Sequence, residues 1–282
     1  MSRYFQKMKI KSLFREISNL FAWRDIPVNA AGLVLDVASG DNPHVRADVL
    51  CDAHLCDSGE RSGRFGLIVD GRPFVFADAC RLPFKDKAFD FVVCRHLLEH
   101  VADPAVLLEE LMRVGRAGYI ETPSVLMEKF CALDFHRSTV DLQDGSLVIR
   151  AKSAGRKPGI LPEEIRKSSH WESVVDRHRD KFIVSYFWDG KISYRVEGEF
   201  PPAEGLSRES FSRLPRRSLR RRMRWWVTRF IRFFTARPDF KMDGILVCPA
   251  CGGAVKTEKD KISCLKCNAV YPILNKNFYK FI

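Results

Sequence analysis

Between Leu33 and Ile120 the apolar residues come in short unbroken blocks: Leu33-Val34-Leu35, Val49-Leu50-Cys51, Phe74-Val75-Phe76, Phe89 with Phe91-Val92-Val93, and Tyr119-Ile120. Strands covered by helices on both faces read this way, because neither face alternates toward water. The pattern therefore predicts an α/β fold, a Rossmann-like, mostly parallel sheet with helices on both faces. Strands are expected at Leu33–Asp36, Asp48–Cys51, Phe74–Phe76, Phe89–Val93 and Gly118–Glu121, with a helix over His96–Arg116. A rival for the second strand, Gly66–Val69, would leave only Gly71–Pro73 before Phe74. A parallel crossover needs about a dozen residues, so 48–51 is the second strand.

Past residue 121 the pattern loosens. Ser146–Lys152 and Ile192–Val196 alternate as antiparallel edge strands do, Asp189-Gly190 reads as a hairpin turn, and 153–180 reads as a polar insertion. At the other end Phe5, Ile10, Leu13, Phe14, Ile17, Leu20 and Phe21 recur at helical spacing among basic residues. That helix either packs on the sheet or meets a membrane surface. The expected layout is an N-terminal amphipathic helix over 1–30, the α/β domain over 31–203, a basic helix or linker over 204–243, and a small module over 244–282.

A chain of 282 residues that is 46% hydrophobic can bury one full core and carry a small second module. No apolar run approaches the length of a membrane span, and the first residues lack the apolar stretch of a secretory leader. Of nine cysteines, four form two close pairs near the C-terminus and five are scattered. That distribution favours a reducing compartment, and the expected location is the cytoplasm. The net charge of +12 is concentrated: Ser207–Pro238 holds eleven arginines against one acid, Glu209. Within it Leu219, Met223, Trp226, Phe230 and Phe233 follow at helical steps, with arginines filling much of the other side. This helix could pack on the domain, lie peripherally on an anionic membrane, or track an RNA backbone. Its aromatic density leans toward membrane over RNA.

Polar residues gather just past the strands' carboxyl ends, where open α/β sheets bind ligands. The segment Val75–Val101 is the richest. Its Asp78, Ala79, Leu82, Pro83, Phe84, Asp86, Phe89, Asp90, Val92, Leu98, Glu99 and His100 fill a signature without a gap. That signature resembles class I S-adenosylmethionine-dependent methyltransferases, in the branch reading D-A-x-x-L-P-F-x-D-x-x-F-D-x-V and ending L-E-H. The resemblance covers roughly Leu33 to Ser124. It implies S-adenosylmethionine as cofactor, with Asp36-x-Ala38-x-Gly40 standing where the family has D/E-x-G-x-G. Ala38 replaces the first glycine, and its methyl group disfavours positive φ. Asp52, the acid ending the second strand, would take the ribose hydroxyls, although it lies nearer the loop than the roughly 20 residues of dinucleotide folds; by the resemblance Asp78 would take the adenine amine, with backbone contacts from Ala79. Cys94, Arg95 and His96 would line the methionine and methyl side.

Methyl transfer needs alignment, plus a base when the acceptor carries a proton. His96, Glu121 and His136 are the candidates, while Glu99 and His100 are expected on a helix in structural hydrogen bonds. No N-P-P-Y sequence marks an amide or exocyclic-amine acceptor, and the body lacks a Pro-Cys pair suited to cytosine C5 chemistry. The branch contains quinone and other small-molecule methyltransferases, so a small or lipid-linked acceptor is expected. An RNA or translation-factor methyltransferase and a non-catalytic scaffold are the rival readings.

Cys248-Pro-Ala-Cys251 and Cys264-Leu-Lys-Cys267 are two C-x-x-C knuckles separated by twelve residues. Four thiolates at this spacing suit a closed, structural zinc site, with a redox pair as the rival. Together with Tyr271-Pro272-Ile273 they resemble the small zinc-ribbon proteins that partner and activate tRNA, rRNA and release-factor methyltransferases. A fused activator would sit at high effective concentration beside its partner.

Overall fold

The computed structural model describes residues 32–40, 42–53, 70–133, 135–152, 159–200, 226, 230, 240–275 and 277–282. The expected N-terminal helix and the 66–69 block lie outside them, as does the basic helix apart from Trp226 and Phe230, both helical and exposed.

Five parallel strands form the centre: β1 (Val34–Val37), β2 (Val49–Asp52), β3 (Phe74–Phe76), β4 (Phe89–Arg95) and β5 (Gly115–Pro123). They lie side by side in the order β3-β2-β1-β4-β5. The second strand is the one the crossover argument selected, pairing Leu35 with Val49 and Leu50 with Phe74. Alternate residues feed two apolar clusters. Leu35, Val37, Val49, Cys51, Val75 and Val92 enter one; Val34, Leu50, Phe74, Phe76, Phe91 and Val93 enter the other. With side chains alternating across a strand, both sheet faces are buried and the unbroken apolar blocks follow.

Helix α1 (Pro104–Val114) begins later than the sequence pattern predicts. The Asp103 side chain accepts from the Val106 N–H, and Pro104 holds the first helical position. Both features start a helix there, since proline lacks the N–H that an earlier turn would need. His96 has φ 51°, which breaks any helix running back to it. Glu99 and His100 therefore lie in a turn between β4 and α1, not on a helix.

Beyond β5 the chain forms α2 (Val125–Cys131), β6 (Ser138–Gln143) and β7 (Ser146–Ala151). Three short helices follow, α3 (Glu163–Arg166), α4 (Ser169–Arg177) and α5 (Arg179–Phe182), then β8 (Ile183–Asp189) and β9 (Tyr194–Glu197). The expected edge strands 146–152 and 192–196 are not on the main sheet. β7 and β9 join β6 in a separate three-stranded sheet, and β7 and β9 run parallel. The antiparallel edge strand is β8, which the pattern missed, pairing along β5 from Ala117–Asp189 to Pro123–Ile183. Asp189-Gly190 consequently carries the chain from one sheet to the other instead of closing a hairpin. Trp188 of β8 lies so close over β5 that a Cβ on Gly118 would fall 2.7 Å from its ring.

The C-terminal module contributes a 3-10 turn (Met242–Gly244), β10 (Val255–Thr257), β11 (Lys261–Cys264), β12 (Val270–Asn275) and β13 (Phe278–Lys280). It continues the main sheet. β13 runs parallel to β3, with Phe278, Tyr279 and Lys280 opposite Phe74, Val75 and Phe76. Phe278 stacks on Phe74 at 5.0 Å between ring centroids, while Tyr279 and Phe281 enter the cluster on the other face. Burying one such ring contributes about 1.5–3 kcal/mol. A second seam joins the L-P-F segment, where Val247 N donates to Pro83 O and Lys85 N to Ile245 O. From α1, Glu110 accepts from Leu82 N, and Arg113 donates to the carbonyls of Leu82 and Phe84. Among the described residues no helix is long and apolar enough to cross a membrane.

Candidate functional site

The polar residues at the strand ends fall into two groups. The first surrounds the β1 loop. Asp36 is 1% exposed; its Oδ2 accepts from His44 N at 2.5 Å, and its Oδ1 has no hydrogen-bond partner among the described residues. Burial raises its pKa, and Arg95 opposes that shift. Ala38 and Gly40 both adopt positive φ, 56° and 51°. Gly40 tolerates this; Ala38 bears the strain expected from its side chain. Asp52, at the end of β2, accepts from Gly40 N at 2.9 Å, and Ser39 N donates to Cys51 O. Asp36 and Asp52 thus grip the same loop. Arg95, closing β4, donates to Asn42 O on its far side. Asp78, beyond β3, accepts from Cys80 N at 2.9 Å, with Ala79 half-buried beside it. Cys94 is buried, and burial pushes its thiol well up.

The second group stands past β4 and β5. His96 Nε2 lies 3.2 Å from Glu121 Oε1, and its Nδ1 lies 3.5 Å from Glu99 Oε1. Burial works against a charged ring, but the contacts with Glu121 and Glu99 outweigh it and push His96 up to about 9. About half of its side chain stays open, so solvent moderates that coupling. Glu121 is buried; despite that burial, His96 and Arg179 hold it well below the usual carboxylate range. Tyr119 OH and Arg179 each reach Glu121 Oε2 at 2.6 Å. Glu99 Oε2 accepts from Thr122 Oγ1 at 2.9 Å.

His96 and Glu121, two of the three candidate bases, therefore stand together. His136 is not with them. It is 3% exposed, and its Nδ1 is bound to Glu128, whose other oxygen takes Lys152 Nζ. Its ring meets His100 edge-on at 4.8 Å. Sequence reasoning did not single out Glu128, Arg179 or Tyr119, which sit in stretches without motif spacing. Glu99 was legible as part of L-E-H but not as the centre of an imidazole cluster.

In the C-terminal module the Sγ atoms of Cys248, Cys251, Cys264 and Cys267 all lie within 4.8 Å of one another. The Cys251–Cys264 and Cys248–Cys267 separations are 3.5 and 3.7 Å. Lys266 N and Cys267 N both point at Cys264 Sγ; the Cys267 N–H leads in lowering that thiol to about 6.

Residues 58–120 match the family model described as Methyltransferase domain. Among curated proteins, the chain is 33% identical over 106 residues to demethylmenaquinone methyltransferase from Streptomyces griseus, covering 33% of this chain and 42% of that one. It is 38% identical over 91 residues to the enzyme of the same name from Clavibacter sepedonicus, covering 30% and 37%. The ubiquinone/menaquinone biosynthesis C-methyltransferase UbiE of Xylella fastidiosa is 35% identical over 106 residues, covering 36% and 41%. The chain thus spans about two fifths of the length of these relatives. A solved chain from the complex between a Haloferax volcanii methyltransferase activator and a methyltransferase aligns with TM-score 0.35 and 16% identity, over 61% of this chain and 88% of that one.

Proposed function

We propose that this chain transfers a methyl group from S-adenosylmethionine to a small or lipid-linked acceptor. The observation that carries this reading is the placement of Asp36, Asp52 and Asp78 at or just past the ends of three adjacent strands, with Asp36 and Asp52 both bound to the tight β1 loop. The fit to the cofactor rests on two buried polar atoms without hydrogen-bond partners among the described residues, Asp36 Oδ1 and Ser39 Oγ. Such atoms cost free energy unless a ligand satisfies them. The positive φ values at Ala38 and Gly40 turn the loop sharply at the same place. Asp52 would receive the ribose hydroxyls and Asp78 the adenine amine, with Cys94, Arg95 and His96 on the methionine side. When bound, the cofactor supplies an electrophilic methyl group on a cationic sulfur.

Relatives that bear the names demethylmenaquinone methyltransferase and ubiquinone/menaquinone biosynthesis C-methyltransferase support this acceptor class. Despite burial, its contacts with Glu121 and Glu99 push His96 up to about 9 and favour the charged ring. It would donate a hydrogen bond to an oxyanion of the acceptor, and Glu121 would hold the ring in place for that task. Calorimetric titration with S-adenosylmethionine tests the reading: one-site binding is expected, lost in Asp78→Ala. A folded protein that binds no cofactor would sink it.

The four-cysteine cluster is proposed to hold a structural Zn2+. Tetrahedral Zn–S bonds of about 2.3 Å put neighbouring sulfurs roughly 3.8 Å apart, close to the separations between these thiols. The ion would fix the module whose strand β13 covers the β3 edge, acting as a methyltransferase activator fused in the same chain. Chelating the metal is expected to lower the Tm by several degrees or more, since metal-binding free energy in such modules is folding free energy. An unchanged melting curve after verified metal removal would overturn that assignment.

A further inference from the structure

We propose a second metal site, unrelated to the four cysteines, in which Glu99, His100 and His136 bind a divalent transition ion of the zinc type. One potential ligand atom from each of these three residues lies within 4.8 Å of the others. Two imidazoles and one carboxylate are a donor set that suits Zn2+, Co2+ or Fe2+ and disfavours Mg2+ or Ca2+, which prefer oxygen alone.

Three further features separate this cluster from a chance gathering. Glu99 is 1% exposed, and its Oε1 has no hydrogen-bond partner among the described residues. Among the described residues, the imidazole nitrogens closest to that oxygen are those of His96 at 3.5 Å and His100 at 3.8 Å, beyond good hydrogen-bond range. His96 offers that oxygen a nearby charge but no hydrogen bond, and a directly coordinated cation would supply the missing partner.

The supporting residues are those a metal site needs. His136 commits Nδ1 to the Glu128 carboxylate, which leaves Nε2 to bind the ion. Glu128 is in turn held by Lys152. Glu99 Oε2 is fixed by Thr122 Oγ1, which orients the free oxygen. Outer partners of this kind set the tautomer and direction of metal ligands. The two contributing segments are also stitched by backbone: Arg137 N and Ser138 N both donate to Glu99 O, at 2.7 and 3.2 Å. Ligands from the β4–α1 turn and from the segment after α2 are thereby held in one place before any ion arrives. With three protein donors, a coordination position stays open for water or for an oxygen-bearing ligand.

The site is tested on the full chain by metal content and not by methyl transfer, so its failure is distinct from failure of the cofactor reading. Zinc-loaded, dialysed protein is analysed by inductively coupled plasma mass spectrometry. The expected content is about two ions per chain for the wild type, and about one for His136→Ala and for His100→Ala. A wild type holding one ion, or variants that keep both, overturns the site. Should either variant misfold, the wild type alone decides through Co2+ titration. An equivalent showing visible d–d absorption without thiolate-to-cobalt charge transfer supports the proposal. Purely thiolate-type spectra at saturation overturn it.

Discussion

At the ends of β1, β2 and β3, the carboxylates of Asp36, Asp52 and Asp78 are each held by a backbone N–H: His44, Gly40 and Cys80 in turn. At the ends of β4 and β5, Glu99 and Glu121 are held by imidazole, guanidinium and hydroxyl groups. Backbone amides do not titrate, and they fix an oxygen by chain geometry alone. Side-chain partners bring charge and can change protonation. Backbone geometry thus dominates the first end, with Arg95 as its charged neighbour, while charged side chains dominate the second; the proposed function assigns binding to one and reaction to the other.

The strongest way to break this contrast is Asp36→Ala. It should weaken S-adenosylmethionine binding about 100-fold, since a hydrogen-bonded carboxylate in a dry site contributes about 1.5–3 kcal/mol. Calorimetry on the folded variant checks it, and affinity within threefold of wild type would dissolve the division. Glu121→Gln should do the reverse, leaving cofactor affinity within threefold while slowing turnover about 10- to 100-fold. Parallel calorimetry and single-turnover assays separate the two parameters.

A smaller effect is expected from Ala38→Gly. Removing the methyl group relieves a left-handed conformation worth about 1–2 kcal/mol. Glycine's greater freedom when unfolded returns about 0.4–1 kcal/mol. The net gain, between about zero and about 1.6 kcal/mol, should appear in denaturant unfolding or as severalfold tighter cofactor binding. A loss of stability would show that Ala38 packs better than its φ suggests.

The smallest effect concerns pH. His96 has a folded pKa of about 9 against an ordinary 6.5. Its contribution to stability is thus complete below pH 6.5 and is lost as pH rises through about 9. With half of the ring open to solvent, the amount stays below about 1 kcal/mol. The Tm difference between wild type and His96→Gln should narrow from pH 6 to pH 9.5.

How far the sequence reaches follows the same division. β1 to β5 were legible because burial on both faces leaves an apolar block that no helix period imitates. The β1 loop and Asp78 were legible because they follow those blocks directly. The start of α1 was written in Asp103-Pro104, but the apolar run from Leu97 to Val101 drew the expected helix back to His96. β6, reading Ser-Thr-Val-Asp-Leu-Gln, is too polar to announce itself. β8 follows three short helices with no buried turn signal. His136 pairs with Glu128 through tertiary folding, since eight residues in an irregular segment imply no contact. The C-x-x-C knuckles predicted a compact module, yet nothing in their spacing says that its final strand lies parallel to β3.

That last pairing bears on how the molecule is made. Phe74 and Phe278 are opposite each other in the sheet but roughly two hundred residues apart in the chain. At a translation rate of about 5–20 residues per second, the β3 edge waits roughly ten to forty seconds for its neighbour. Long-range parallel pairing is also slow to form once both segments exist. During that interval an apolar strand with unpaired amides stands at the margin of a nearly finished sheet, the kind of edge on which chains aggregate or chaperones settle. The yield of folded protein from cells should therefore track how quickly the C-terminal module folds, and under the proposed zinc assignment metal supply becomes a term in biogenesis as well as in stability.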